Sequence, residues 1–140
     1  LIDTPGIGDT EGIRRDEVNA AHILDFISQY QYLQGICILF KPSEERLNAQ
    51  FRHCFLELLT RLHRSAAKNV MFVFTNSQTT FYAPGGTAPL LKRMLNELEQ
   101  KSSFRVPFNA DNTFCMDNEG FRCAVLTKFG MGFPRAQIDQ

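Results

Sequence analysis

The sequence predicts an α/β protein built on a parallel sheet, and three observations carry that expectation. Two short, near-continuous apolar runs, Ile36-Cys37-Ile38-Leu39-Phe40 and Asn69-Val70-Met71-Phe72-Val73-Phe74-Thr75, have the length and character of strands buried on both faces. Around them apolar residues recur at three- and four-residue steps, the spacing of helices with one buried side. The two kinds of segment alternate along the chain, which implies right-handed crossovers and a three-layer arrangement with helices on both faces of the sheet.

The first element is the end of a strand, Leu1-Ile2-Asp3, stopped by Pro5 and Gly6. Residues 14–31 follow as an amphipathic helix with Val18, Ala21, Leu24 and Ile27 on its apolar side. Gly35 interrupts, and the strand 36–40 runs to Pro42-Ser43, where Ser43 is placed to cap a second helix with Glu44 and Glu45 in its first turn. Leu47, Phe51, Phe55, Leu58 and Leu62 form the core stripe of that helix, and Glu57 and Arg61 pair on its outer side. After the strand 69–75 comes a linker of turn-forming residues with two adjacent aromatics, Phe81 and Tyr82. Thr87 is placed to cap a helix bearing Leu91, Met94, Leu95 and Leu98. A weaker strand at 112–116 and a helix at 119–129 complete a single domain over 1–130, and residues 131–140, with Gly132 and Pro134, read as a frayed tail.

The 140 residues suffice for one domain with a substantial core; 44% of them are apolar and 21% charged. Lys plus Arg equals Asp plus Glu at 15 each, so no bulk field favours nucleic acid or an anionic membrane. No apolar stretch approaches the roughly 20 residues of a membrane-spanning helix. Cys37, Cys54, Cys115 and Cys123 lack Cys-x-x-Cys spacing, and His22, His53 and His63 are scattered. The expectation is a cytoplasmic protein with reduced, mostly buried thiols and no metal site built from these residues.

The chemistry concentrates at the opening segment. Ligands of parallel sheets bind at the carboxyl ends of the strands, and Asp3 stands at the carboxyl end of the first. In nucleotide hydrolases an aspartate so placed holds Mg²⁺, often through a water. A glycine three residues on, here Gly6, lets a backbone N–H approach the γ-phosphate, because no side chain stands in the way.

The stretch LIDTPGIGDT resembles the Mg²⁺/γ-phosphate segment of the translation-factor-related P-loop GTPases. Septins and the immune-associated (GIMAP-type) GTPases share its form: Asp-Thr-Pro-Gly, an apolar residue, then an acid. The resemblance implies a Ras-like G domain that is incomplete, with residues 1–130 as its carboxyl-terminal portion. The phosphate loop G-x-x-x-x-G-K-[ST] occurs nowhere in the chain, so the phosphate-loop strand and the first switch are expected to be missing, leaving an open slot beside residues 1–3 and Ile38. Asp3, with Thr4 beside it, becomes the Mg²⁺-associated residue, Gly6 the γ-phosphate sensor and residues 7–15 the second switch. Thr75, Asn76 and Gln78 after one strand, and Asp117 and Asn118 after the last, become the contacts to the base of a guanine nucleotide. Mg²⁺-assisted GTP hydrolysis is then the activity of a full-length parent, with this portion inactive alone and with a homo-oligomer or protein partner engaged through the G domain.

Two departures from the family pattern bear on that reading. Ile7 stands where Ras-type enzymes carry a water-positioning glutamine, with Asp9 and Glu11 nearby, and no catalytic residue is assigned. Thr75-Asn76-Ser77-Gln78 stands where the family has Asn/Thr-Lys-x-Asp. A neutral amide accepts only through its carbonyl oxygen, so the two-bond charged grip on guanine is lost. Phe81 or Tyr82 would either stack on the base or pin the loop to the sheet. A pseudo-GTPase serving as a scaffold or oligomerisation module therefore stays open. So does an unrelated doubly wound enzyme that uses Asp3 on another phosphorylated substrate.

Overall fold

The structure is a computed structural model that describes residues 1–6, 13–43 and 49–130. Ile7, Asp9, Glu11, Glu44, Glu45, Leu47 and the tail 131–140, all named above, lie outside the described residues. The chain is mixed α/β: α1 (Ile13–Ser28), β1 (Ile36–Phe40), α2 (Ala49–Arg61), β2 (Val70–Phe74), α3 (Thr87–Ser102), β3 (Thr113–Cys115) and α4 (Glu119–Lys128). The strands form a parallel sheet in the order β1-β2-β3, with Ile38 opposite Phe72 and Phe74 opposite Cys115.

Strand alternation places Ile36, Ile38, Phe40, Val70, Phe72, Phe74 and Cys115 on one face, and the core is built there. Phe55 and Leu59 of α2, Leu91, Met94, Leu95 and Leu98 of α3, and Phe104 and Val106 complete it. Phe40 is its hub, packing its ring against Phe51, Phe55, Phe72 and Phe74 at centroid distances from 5.8 to 6.4 Å. β2 is the central strand and reads as nearly continuous burial, as its sequence predicts.

Several sequence expectations give way to the packing. Residues 1–6 join no ladder and are exposed, so the strand expected at Leu1-Ile2-Asp3 is absent among the described residues. Two apolar residues before a Pro-Gly turn offer too few ladder bonds to offset the entropy of ordering them. β1 is an edge strand rather than one buried on both faces. Its second face carries Cys37, which is exposed, and Leu39, 62% exposed. On the same face Val73 is buried, whereas Phe114 is 44% exposed, so the second layer covers the sheet only in part. α4, with no fully buried residue, adds nothing to the core cluster.

Within the helices, the inward positions shift by a residue. In α1 Asp16, Ala20, Leu24 and Ile27 turn inward while Val18 is 48% exposed and Ala21 lies outside. In α2 Leu59 rather than Leu58 enters the core, beside Phe55 and Cys54. Four-residue steps from the true anchor residues account for both shifts. The Glu57–Arg61 pair forms as expected. Of the cysteines only Cys54 is buried, and burial first, then Asp16, raises its thiol above the ordinary range. Among the described residues no helix is long and apolar enough to cross a membrane.

Candidate functional site

The carboxyl ends of all three strands are tied into one rim. Phe40 is the last residue of β1, and its carbonyl accepts the Thr75 N–H at 2.8 Å and the Thr75 hydroxyl at 3.3 Å. Thr87 does not cap α3, which begins after Gly86; its buried hydroxyl instead donates to the Lys41 carbonyl at 2.7 Å. Gly85 has φ +59° and lies so close to Pro42 that a Cβ would stand 2.5 Å from the Pro42 carbonyl oxygen. The linker after β2 is thereby clamped onto the turn after β1, where only glycine fits both the angle and the space.

The loop 76–82 is bonded mainly to itself. Asn76 is left-handed (φ 57°), as its side-chain type tolerates, and a 3₁₀ turn, Ser77–Thr80, follows. Phe81 (φ 52°) and Tyr82 (φ 56°) are left-handed as well, which is costly for bulky residues. The Tyr82 N–H donates to the Ser77 carbonyl at 2.9 Å, and the Thr80 hydroxyl donates to the Ala83 carbonyl at 2.7 Å. These bonds fix the strained turn and leave Phe81 92% exposed at its tip, with Tyr82 42% exposed beside it.

A second set of bonds joins this loop to residues 116–118. Buried Ser77 donates to the Met116 carbonyl through its hydroxyl (2.9 Å) and its N–H (3.3 Å). The Asp117 carboxylate, only 6% exposed, accepts the Asn118 N–H at 2.8 Å and the Gln78 N–H at 3.3 Å. The Asn118 N–H foremost, then the Gln78 N–H and Arg122, hold its carboxyl below the usual carboxylate range. Asp117 thus turns inward as the post that joins two loops.

Arg122 and Glu119 of α4 complete the constellation. The Arg122 guanidinium donates to Gln78 Oε1 at 3.2 Å and lies 3.6 Å from Asp117 Oδ1. The Tyr82 hydroxyl donates to Glu119 Oε1, and that bond raises the phenol above its ordinary range. Neither Arg122 nor Glu119 stands out in the sequence, because no spacing rule links a helix to a loop some forty residues earlier. Ser77, the buried link, sits between Asn76 and Gln78 and is equally silent.

Of the candidate residues, Thr75, Asn76, Gln78, Asp117 and Asn118 gather at this rim. Asp3, Thr4 and Gly6 do not join them through any hydrogen bond among the described residues. The Thr4 N–H donates to Asp3 Oδ1 at 3.1 Å, and the Gly6 carbonyl accepts from Asn19 of α1 at 3.4 Å. Leu1 and Ile2 line a cleft with residues 29–34, next to the amino end of β1 rather than the carboxyl rim. Among the described residues no three His, Cys, Asp or Glu side chains gather as a metal cluster. A single carboxylate such as Asp3 fits the donor chemistry of Mg²⁺, which takes one or two carboxylates plus phosphate oxygens and waters. Comparison with protein-family models, with curated proteins and with solved structures gives no match.

Proposed function

We propose that the chain is part of a GTP-binding domain of the P-loop, Ras-like kind, with Mg²⁺-assisted GTP hydrolysis as the activity of the protein that carries a phosphate loop. The observation that supports it best is the meeting of residues 75–82 and 116–118 at the carboxyl ends of neighbouring parallel strands. That is where a parallel sheet presents loops to a ligand. The exposed Asn76 and Gln78 offer polar edges, and Phe81 offers a flat ring to a base. Asp117 supports this surface from within.

In this reading Asp3 would hold Mg²⁺ and the Gly6 N–H would meet the γ-phosphate, which requires them to stand at the carboxyl rim although Leu1 and Ile2 lie beside the amino end of β1; the metal would neutralise phosphate charge when bound. The grip on the phosphates comes from a G-x-x-x-x-G-K-[ST] loop, which the 140 residues do not contain. The test is the sequence upstream of Leu1 in the open reading frame, followed by GTP binding and phosphate release on the encoded protein. A strand leading into that loop, with GTP bound in a Mg²⁺-dependent way and lost on Asp3→Ala, is the expected result. An upstream region with no phosphate loop refutes it.

The scaffold reading rests on a separate observation, the neutral Asn76 and Gln78 where the family's charged pair would stand. It expects nucleotide binding or partner binding without phosphate release, so the same assay separates the two.

A further inference from the structure

One side of the β1 backbone is left unanswered. Successive residues of a strand point their N–H and C=O groups to opposite sides. The Phe40 carbonyl accepts the Thr75 N–H, so Ile36, Ile38 and Phe40 face β2. Cys37 and Leu39 therefore aim their N–H and C=O groups away from the sheet, and nothing among the described residues pairs with them. Their side chains are exposed as well.

The opposite edge of the sheet is not equivalent. β3 has three residues, Thr113–Cys115, and so short an edge offers little to pair with. β1 runs five residues in regular register with no proline and no charge, and so lacks the devices that keep an edge from pairing. Both its faces are apolar and incompletely covered. Ile36 and Ile38 are half-buried where Val70 and Phe72 opposite them are fully buried, and Cys37 and Leu39 extend the face that carries Val73.

We propose that this edge pairs with the same edge of a second copy of the chain, antiparallel about a twofold axis through Ile38. In that register Cys37 lies opposite Leu39 of the second copy, and each of the two symmetric pairs exchanges two N–H···O=C bonds. Only this register uses both outward-facing residues of β1 in both copies. The surface is its own complement, so the assembly closes as a dimer. No charged residue occurs from 26 to 40, and Lys41 falls opposite Gly35, so no like charges meet. Five residues a side is well below the roughly 20–30 of a standard interface, so the dimer is weak and concentration-dependent. The inference does not rest on the GTP reading; a strand supplied to this edge by a longer protein would compete with the second copy.

Sedimentation velocity on the 140-residue chain tests the proposal, with cysteine cross-linking to read the register. The mass should rise reversibly from one chain toward two between about 10 and 500 µM. Leu39→Pro removes an outward N–H and spares the bonds of Ile38 and Phe40 to β2, so it should weaken association about tenfold or more. Leu39→Lys, milder at an exposed position, should weaken it too and serves where the proline variant fails to fold. In Leu39→Cys the introduced thiol should link to Cys37 of the second copy on mild oxidation, because hydrogen-bonded antiparallel pairs stand ~5.5 Å apart at Cα, within disulfide range. A single-chain mass at every concentration overturns the proposal, as does a dimer that the proline and lysine variants leave intact. Growth beyond two chains, or a disulfide joining Cys37 to Cys37, overturns the twofold pairing.

Discussion

Replacing Gly85 by alanine should destabilise the whole chain, although the residue lies in a loop and contributes no side chain. Its φ of +59° belongs to the left-handed region, which costs an alanine about 1–2 kcal/mol. The new methyl would also lie 2.5 Å from the Pro42 carbonyl oxygen and 3.1 Å from its carbonyl carbon and Cβ. That obstacle is mostly backbone, so no rotamer relieves it, and the linker must back away from the β1–α2 turn. The Thr87 N–H to Pro42 carbonyl bond, already 3.3 Å long, is the first to be lost, at about 1 kcal/mol. Together the two effects come to about 2–3 kcal/mol. In urea, with a slope of about 1–3 kcal/mol per molar, the midpoint should fall by about 0.7–3 M. Gly120→Ala is the companion: nothing lies within 4 Å of its Cβ, its φ is not left-handed, and it sits in α4. It should leave the midpoint unchanged or raise stability by up to about 1 kcal/mol. Equal midpoints for the two variants would refute the claim that the rim is clamped at Gly85.

Four further perturbations separate the parts of this structure. Asn112→Asp should cost about 3 kcal/mol or more in urea unfolding, because Asn112 Nδ2 donates to the Val70 and Pro107 carbonyls at 3.1 and 2.7 Å and a carboxylate would face both as an acceptor. Thr113→Val should stabilise by about 1–2 kcal/mol, since the buried Thr113 hydroxyl has no hydrogen-bond partner among the described residues and valine keeps its shape. Acid should weaken the rim. The Asp117 carboxyl is held below the ordinary range, so its ties contribute above the unfolded value of about 3.9 and are lost as pH falls through the lower folded value. Urea midpoints compared at pH 6 and in the acid range below about pH 4 should show a drop that Asp117→Asn flattens. Phe81→Gly should raise stability by about 1 kcal/mol by relieving a left-handed phenylalanine, yet weaken any GMP-induced ¹H–¹⁵N shift at the rim about fivefold or more.

The alternation of elements and the central strand were legible because apolar run length and helical spacing are local signals. Val70–Phe74 reads the same in sequence and in space. The failures share a cause: burial on a given face depends on what lies beside it. Leu39 and Phe114 look like core residues in a list of apolar positions, but they flank Val73 on the face that is covered only in part. Leu1 and Ile2 look like a strand, but nothing among the described residues pairs with them. At the rim, Asn76 carries a sequence signal for its left-handed backbone, whereas Phe81 and Tyr82 carry none. The N–H bonds of Phe81 to Gln78 and of Tyr82 to Ser77 within the loop, and the tertiary bond of the Tyr82 hydroxyl to Glu119, hold them there. Arg122 was invisible for the same reason.

The strained turn at the rim is the feature most in need of a reason. Phe81, 92% exposed, brings almost no buried surface to offset the cost of its left-handed backbone, and Tyr82 beside it, also left-handed, is 42% exposed. Stability alone would favour glycine at one of them, as at Gly85 in the same linker. The surrounding bonds, from Thr80 to Ala83, Ser77 to Met116 and Tyr82 to Glu119, instead hold an aromatic ring out in water beside two polar side chains. Local strain kept up by a rigid frame, with an exposed ring as its product, is what a contact surface requires and a structural turn does not. The rim is therefore a candidate contact surface on its own geometry, whatever the outcome for the opening Asp-Thr-Pro-Gly.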